Sequence, residues 1–179
     1  VLAWPVVSST FLETAFHVAN AFWMGHFSAA AMASVITSGF IIWLVFSLFA
    51  VVGTGTNAMI SRFIGARDEA MAARTAGQAL LFGLTFSLSI ALVGIAIRPH
   101  IFRLMGTAPE VTAFGMTYLL ILFACAPLFA TCEVFASMFR ASGDTKTPLI
   151  SFGLGIGLNM VLDPLLIFGV RPFPRLAVA

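Results

Sequence analysis

The sequence predicts an all-α protein, a polytopic bundle of membrane-spanning helices, on three observations. Apolar residues make up 60 % of the 179 and charged residues only 9 %, against about 25 % charged in a soluble domain. The mean hydropathy is +1.06, so the chain lacks the polar material to cover a globule in water. Five apolar stretches each reach the roughly 20 residues that carry a helix across a bilayer. A net charge of +2 without a basic stripe gives no ground for nucleic acid as a partner.

The first span runs from about Leu2 to Met24 and stops at Gly25-His26. It is no signal peptide, because it lacks a basic n-region, contains Glu13 and His17, and is too long for an h-region. The second runs from about Ala29 to Ile60 and gives way to the basic stretch Arg62 to Arg74. The third covers about Ala76 to Ile97 and ends before Arg98-Pro99-His100. Residues 101–109 read as a short interfacial segment with Phe102, Leu104 and Met105 on its apolar side. The fourth span covers about Val111 to Phe139, and the fifth runs from Pro148 to Val170. Between these two, Gly143 suits a left-handed C′ position, and Thr147 suits an N-cap with Pro148 at the first helical position. So short a connection makes spans four and five antiparallel neighbours.

With alternating spans, Arg62, Arg67, Arg74, Arg140 and Lys146 share one side of the bilayer, and Arg98, Arg103, Arg171 and Arg175 share the other. The excess favours a cytoplasmic amino terminus. Residues 1–179 read as a single partial lobe without an internal repeat. The chain opens on Val1 and stops after Arg171-Pro172-Phe173-Pro174, and reads as a piece of a longer protein. Cys125 and Cys132, two helical turns or about 10 Å apart, are beyond disulfide reach and read as small apolar fillers.

Three carboxylates fall within spans: Glu13, Glu133 and Asp163. The other four, Asp68, Glu69, Glu110 and Asp144, fall in loops or at span ends and read as solvated charge. A charge at the centre of a membrane helix costs about 2.5–3.5 kcal/mol on insertion scales, so Asp163 is a functional candidate by default. Asn159 lies one turn earlier, at i and i+4, on the same face. Pro164 removes a backbone donor and frees the carbonyl of Met160. Carboxylate, amide and carbonyl oxygens together suit Na⁺ or a proton. In the first span Glu13, His17 and Asn20 form a polar stripe, which Ser9 extends, and which reads either as a cavity lining or as interhelical packing. One His and one Glu are too few for zinc. Glu133 reads either as a third cavity-lining group or as a carboxylate solvated near the headgroups. Gly53, Gly55, Gly153, Gly155 and Gly157 read as small residues for close helix approach. The nineteen phenylalanines read mostly as lipid-facing or core, and some as candidates to line an apolar pocket.

Several of these pieces together resemble one family. Leu2-Ala3-Trp4-Pro5 opens the first span and Asn20-Ala21-Phe22-Trp23-Met24-Gly25 closes it. Gly53-Thr54-Gly55-Thr56-Asn57 and Gly77-Gln78-Ala79 follow. Arg140-Ala141-Ser142-Gly143-Asp144-Thr145-Lys146-Thr147-Pro148 and Asn159-Met160-Val161-Leu162-Asp163-Pro164-Leu165-Leu166-Ile167-Phe168-Gly169 complete the set. Across essentially the whole chain this resembles the amino-terminal part of multidrug and toxic compound extrusion (MATE) transporters. Pro164 resembles the branch named for DNA-damage-inducible proteins. The resemblance implies a twelve-helix antiporter of the inner (plasma) membrane, not an enzyme and without a cofactor, that exports organic, often cationic, compounds in exchange for H⁺ or Na⁺. It implies that these are helices one to five of a six-helix lobe, with helix six and the second lobe absent. It also implies a coupling site at Asp163 and Asn159 with a third ligand from helix one. There the family's Asp is replaced by Asn20, an amide that cannot titrate.

Two other readings compete. A lipid-linked oligosaccharide flippase of the same superfamily would want basic residues at the centre of its spans for a pyrophosphate headgroup, and no span here has one. An intramembrane aspartyl protease would want Gly-x-Gly-Asp within a helix. This chain has only Ala141-Ser142-Gly143-Asp144, between two spans.

Overall fold

The computed structural model describes residues 29–168 and, within the first span, Val7, Phe11, Thr14 and Val18, which are helical. Four helices follow in order: α1 (Ala29–Gly65), α2 (Glu69–Met105), α3 (Pro109–Ala141) and α4 (Lys146–Phe168). The described residues contain no strand. Helices α1, α2 and α3 are each long and apolar enough to cross a membrane, and Lys146–Leu162 of α4 forms a shorter apolar helix. At 37, 37 and 33 residues the first three run roughly 50–55 Å. Each is therefore longer than the roughly 30 Å of a hydrocarbon core.

Two corrections concern α2. It begins seven residues before the expected Ala76, because Asp68 caps it by accepting a hydrogen bond from the Met71 N–H at 3.0 Å. It also does not stop at Arg98-Pro99-His100, but continues through Pro99 to Met105. The expected interfacial segment at 101–109 is thus the last turn of this helix, a cap and a tight connection. Gly106 takes a left-handed φ of 62° and ends α2, and Pro109 opens α3 two residues after Thr107. A proline interior to a membrane helix is tolerated where its surroundings compensate the freed backbone. Here Phe102, three residues beyond Pro99, is anchored in the core.

That anchoring shows how α2 and α3 pack. The ring of Phe102 lies on Gly115 of α3, and the ring of Phe123 of α3 lies on Gly94 of α2; a methyl group at either glycine would overlap the ring. Gly83 meets Val134 in the same way, its absent Cβ 3.0 Å from Cγ2. Between successive contacts each helix advances as far as the other retreats, so all three pairs belong to one antiparallel register. On α3 the buried stripe Gly115, Leu119, Phe123, Ala126, Ala130, Val134, Ser137 and Ala141 recurs every three or four residues, the period of one helical face. Val45 and Phe49 of α1 and Ala91 of α2 close on the same cluster. Helix α3 is therefore the central post. Among the described residues α4 touches only α3.

The two turns at one end of the bundle share a design. After α1, Arg67 takes a φ of 59°, with its N–H bonded to Ile64 O and the Asp68 N–H bonded to Phe63 O, both 3.0 Å. After α3, Gly143 takes a φ of 85°, with its N–H bonded to Arg140 O at 3.1 Å and the Asp144 N–H bonded to Phe139 O at 3.0 Å. Both are the paired 6→1 and 5→2 bonds of a Schellman ending. Each left-handed residue is followed by an Asp that caps the next helix. The expected N-cap Thr147 is therefore corrected to Asp144, which accepts from the N–H groups of Lys146 and Thr147 at 3.0 Å each. Thr147 instead donates its hydroxyl to the other oxygen of Asp144.

Two outcomes follow from this packing and capping. Gly94→Ala and Gly115→Ala should each destabilise the protein by about 1–3 kcal/mol through overpacking, read as a lower thermal midpoint in detergent. Alanine at Gly55, which has no neighbour within 4 Å, should be tolerated. At the α3–α4 turn, the Thr147 hydroxyl and backbone, then Lys146, hold the Asp144 carboxyl below its ordinary 3.8. A carboxylate depressed in the folded state contributes stability above its unfolded value and loses it as pH falls through the folded one. Amide exchange at Lys146 and Thr147 should accordingly quicken below about pH 4, relative to intrinsic rates, and Asp144→Ala should show that quickening already at neutral pH.

Candidate functional site

Helix α4 carries the polar pair well away from the turn that precedes it. It leaves the turn at Lys146 and has no other charged residue before Asp163. At 1.5 Å per residue, Asn159 stands roughly 20 Å and Asp163 roughly 26 Å along it. The helix is continuous through Asp163 and Pro164 to Phe168, so the i, i+4 relation places both residues on one face. Asn159 is half-buried and already partnered. Glu13, His17 and Asn20 lie outside the described residues. Among the described residues no three His, Cys, Asp or Glu side chains gather as a metal cluster. Cys125 and Cys132 are free thiols.

Glu133 is engaged in a way its position alone does not reveal. Arg140, two turns later on α3, donates to its Oε1 at 2.6 Å, and also donates to the Ser137 hydroxyl at 2.7 Å. Ser137 in turn donates to Glu133 at 3.4 Å. An arginine so near a helix end would ordinarily extend outward to water; this one folds back along α3. The two side chains are 39 % and 36 % exposed, and a pair exposed to that degree contributes only about 0–1 kcal/mol where solvent reaches it. Its importance is positional. The absent Cβ of Gly53, on α1, would stand 2.6 Å from Glu133 Oε1 and 2.8 Å from Ser137 Oγ. Only glycine lets the α1 backbone close over this network.

Sequence reasoning singled out Gly53 as a close-approach residue but not its partners. It paired Gly53 with Gly55, which faces open space, as do Gly155 and Gly157 among the described residues. It did not identify Ser137 and Arg140 as partners of Glu133, although a seven-residue spacing, two full turns, returns to the same face. At the same end, Arg62, Arg67, Arg74 and Lys146 lie in or beside the two turns. Arg98 and Arg103 lie in the last turns of α2, at the opposite end.

Comparison with known proteins gives this arrangement a context. The MatE family model matches residues 5–165. A relative from Thermotoga maritima, the probable multidrug resistance protein NorM, is 30 % identical over 99 % of this chain and 38 % of its own length. The FAD transporter of Shewanella oneidensis is 30 % identical over 91 % of this chain and 36 % of its own. The probable multidrug resistance protein YoeA of Bacillus subtilis is 29 % identical over 87 % and 33 %. Among solved structures, a MOP superfamily transporter from Pyrococcus furiosus superposes with a TM-score of 0.91 at 27 % identity, covering 99 % of this chain and 38 % of that one. An outward-facing multidrug resistance transporter superposes equally well, at 0.91 and 27 %. The chain thus spans about a third of the length of the relatives it matches.

Proposed function

The chain belongs to the MatE family of multi-pass membrane transporters, and from that premise we propose that it forms the ion-coupling lobe of a secondary antiporter. In this reading the full-length protein exports organic cations across the inner (plasma) membrane in exchange for H⁺ or Na⁺, and its amino terminus is cytoplasmic. The observation that carries the proposal is the pair Asn159 and Asp163 on one face of the apolar helix α4, far from any basic residue of that helix.

Asp163 supplies the negative charge and Asn159 an amide oxygen, with Asn20 of the first span as a third ligand. These are hard oxygen donors, suited to Na⁺ or to a proton and poorly suited to softer metals. Occupancy changes the bend at Pro164, and that change is the coupling step. An ion drives export only if the two access states bind it with different affinity, and a carboxylate next to a proline within a helix can differ in this way. Substrate charge follows from what the spans lack. Relatives bear names for multidrug export and for FAD transport, so family alone does not set it. An anionic cargo would call for Lys or Arg within the spans, and the basic residues here gather toward span ends and turns. That pattern favours a cationic or neutral organic compound over an anion or a pyrophosphate-linked lipid.

In the full-length protein reconstituted into liposomes, Asp163→Asn should reduce gradient-driven efflux of a lipophilic cation such as ethidium to the rate of empty vesicles. Membrane insertion should be preserved. Undiminished coupled efflux in that variant would sink the assignment. Asn20→Asp, which restores a second carboxylate to the same site, should add a titrating group and change the pH dependence of efflux. A pH profile superimposable on that of the parent would remove Asn20 from the ligand set.

A further inference from the structure

Among the described residues three take a left-handed φ, and two of them are glycines, Gly106 and Gly143; the third is Arg67. A side chain there carries a steric cost that glycine does not. The α1–α2 and α3–α4 turns are otherwise built alike, so the turn itself gives no reason for an arginine. Arg62 stands in the last turn of α1 and Arg74 in the second turn of α2, and all three arginines are exposed. Glu133 with Arg140 is the one ion pair among the described residues, so these three have no carboxylate within ion-pair reach. The nearby acids are Asp68, which accepts from the Met71 N–H, and Glu69 in the first turn of α2. Both sit at the amino end of that helix, where its dipole already answers negative charge. Interleaved with the arginines, Met59, Ile64 and Met71 are 53 %, 40 % and 39 % exposed. Apolar and cationic side chains mixed at a helix end suit a bilayer interface, where the apolar groups enter the acyl boundary and the cations reach phosphate.

We propose that the α1–α2 turn binds the headgroup of an anionic phospholipid, with Arg62, Arg67 and Arg74 as its phosphate ligands. A guanidinium matches a phosphodiester with two parallel N–H donors, and each basic residue near an anionic membrane surface favours binding about fivefold. Arg67 keeps its unfavourable backbone conformation because the turn needs its charge. The proposal stands on the charge and backbone of this turn and does not depend on the antiport reading.

Arg67→Gly tests it, because glycine relieves the left-handed position and removes the charge in one change. The thermal midpoint of the full-length protein is read in nanodiscs of phosphatidylcholine, alone or mixed with phosphatidylglycerol. In phosphatidylcholine the variant should melt above the parent; in the mixed lipid that gain should shrink or reverse. A shift no lower in the mixed lipid than in phosphatidylcholine overturns the proposal, whichever its sign. An equal fall in both would mean that an acid elsewhere in the full-length protein answers Arg67. Inorganic phosphate added to the phosphatidylcholine discs should leave both midpoints in place. If it reproduces the effect of phosphatidylglycerol, the site takes free phosphate and the lipid assignment is overturned. A local readout uses a bimane label at Ser61→Cys, an exposed position beside Arg62, in cysteine-free full-length protein that includes Cys125→Ala and Cys132→Ala. Spin-labelled phosphatidylglycerol should quench it more than spin-labelled phosphatidylcholine. Arg62→Gln, Arg67→Gly and Arg74→Gln together should make the two equal. Equal quenching in the parent, or an excess that the triple variant keeps, overturns the proposal even where no compound is transported.

Discussion

The seating of Phe102 on Gly115 and of Phe123 on Gly94 is the contact on which the rest of the structure depends. Lipid tails are as apolar as the side chains that face them, so burying apolar surface gives little reason for two membrane helices to associate. Close van der Waals contact must supply it, and a ring in a backbone notch offers many atoms at contact distance. Because the two pairs are reciprocal, they fix the rotation and the register of α2 against α3. With these set, α3 presents its remaining buried face to α1, where Val45 and Phe49 complete the cluster. The short connections then leave little freedom in how α1 and α4 are placed.

The bundle's ends are specified by a separate set of rules. Each turn at the basic end needs one residue in the left-handed region and one carboxylate to satisfy the next helix's free N–H groups. Gly143 meets the first need without strain. Arg67 meets it against the preference of a residue with a Cβ, in a turn that holds its charge among Arg62 and Arg74. The aspartates at 68 and 144 meet the second need. They are exposed charges with a defined structural task, which solvated charge alone did not anticipate.

Most of the fold is legible in the sequence because a bilayer demands it. Length and apolarity mark the spans, and Gly143 marks the turn before α4. What could not be read depends on which helix faces which. Gly94 and Gly115 look no different from Gly55 in the sequence, and only the ring on the neighbouring helix separates a notch from an open position. Phe102 read as interfacial because Arg98, Pro99 and Arg103 surround it, yet the last turn of α2 seats it in the core. Pro99 read as a stop because its effect on the local backbone is visible and the anchoring beyond it is not. Of the proposed ion site, the Asn159–Asp163 pairing is local to one helix and was therefore readable. The spacing of Glu133 and Arg140 is local too, but whether an arginine folds inward or reaches outward depends on Gly53 of another helix.

Glu133 of α3 and Asp163 of α4 differ in the basic residues that their own helices offer, and this is the strongest physical reason to separate their roles. Glu133 has a guanidinium on its own helix at 2.6 Å, so its charge is answered within α3 and needs no ion from outside. Asp163 has no basic residue on α4 nearer than Lys146, roughly 26 Å along the helix. A carboxylate in a membrane span must be protonated, paired with another helix, or bound to a cation. The spans contribute no central Lys or Arg that could pair with it permanently. In the proposed reading a transient partner, proton or Na⁺, neutralises Asp163, and a charge answered by a transient partner is suited to sense a gradient.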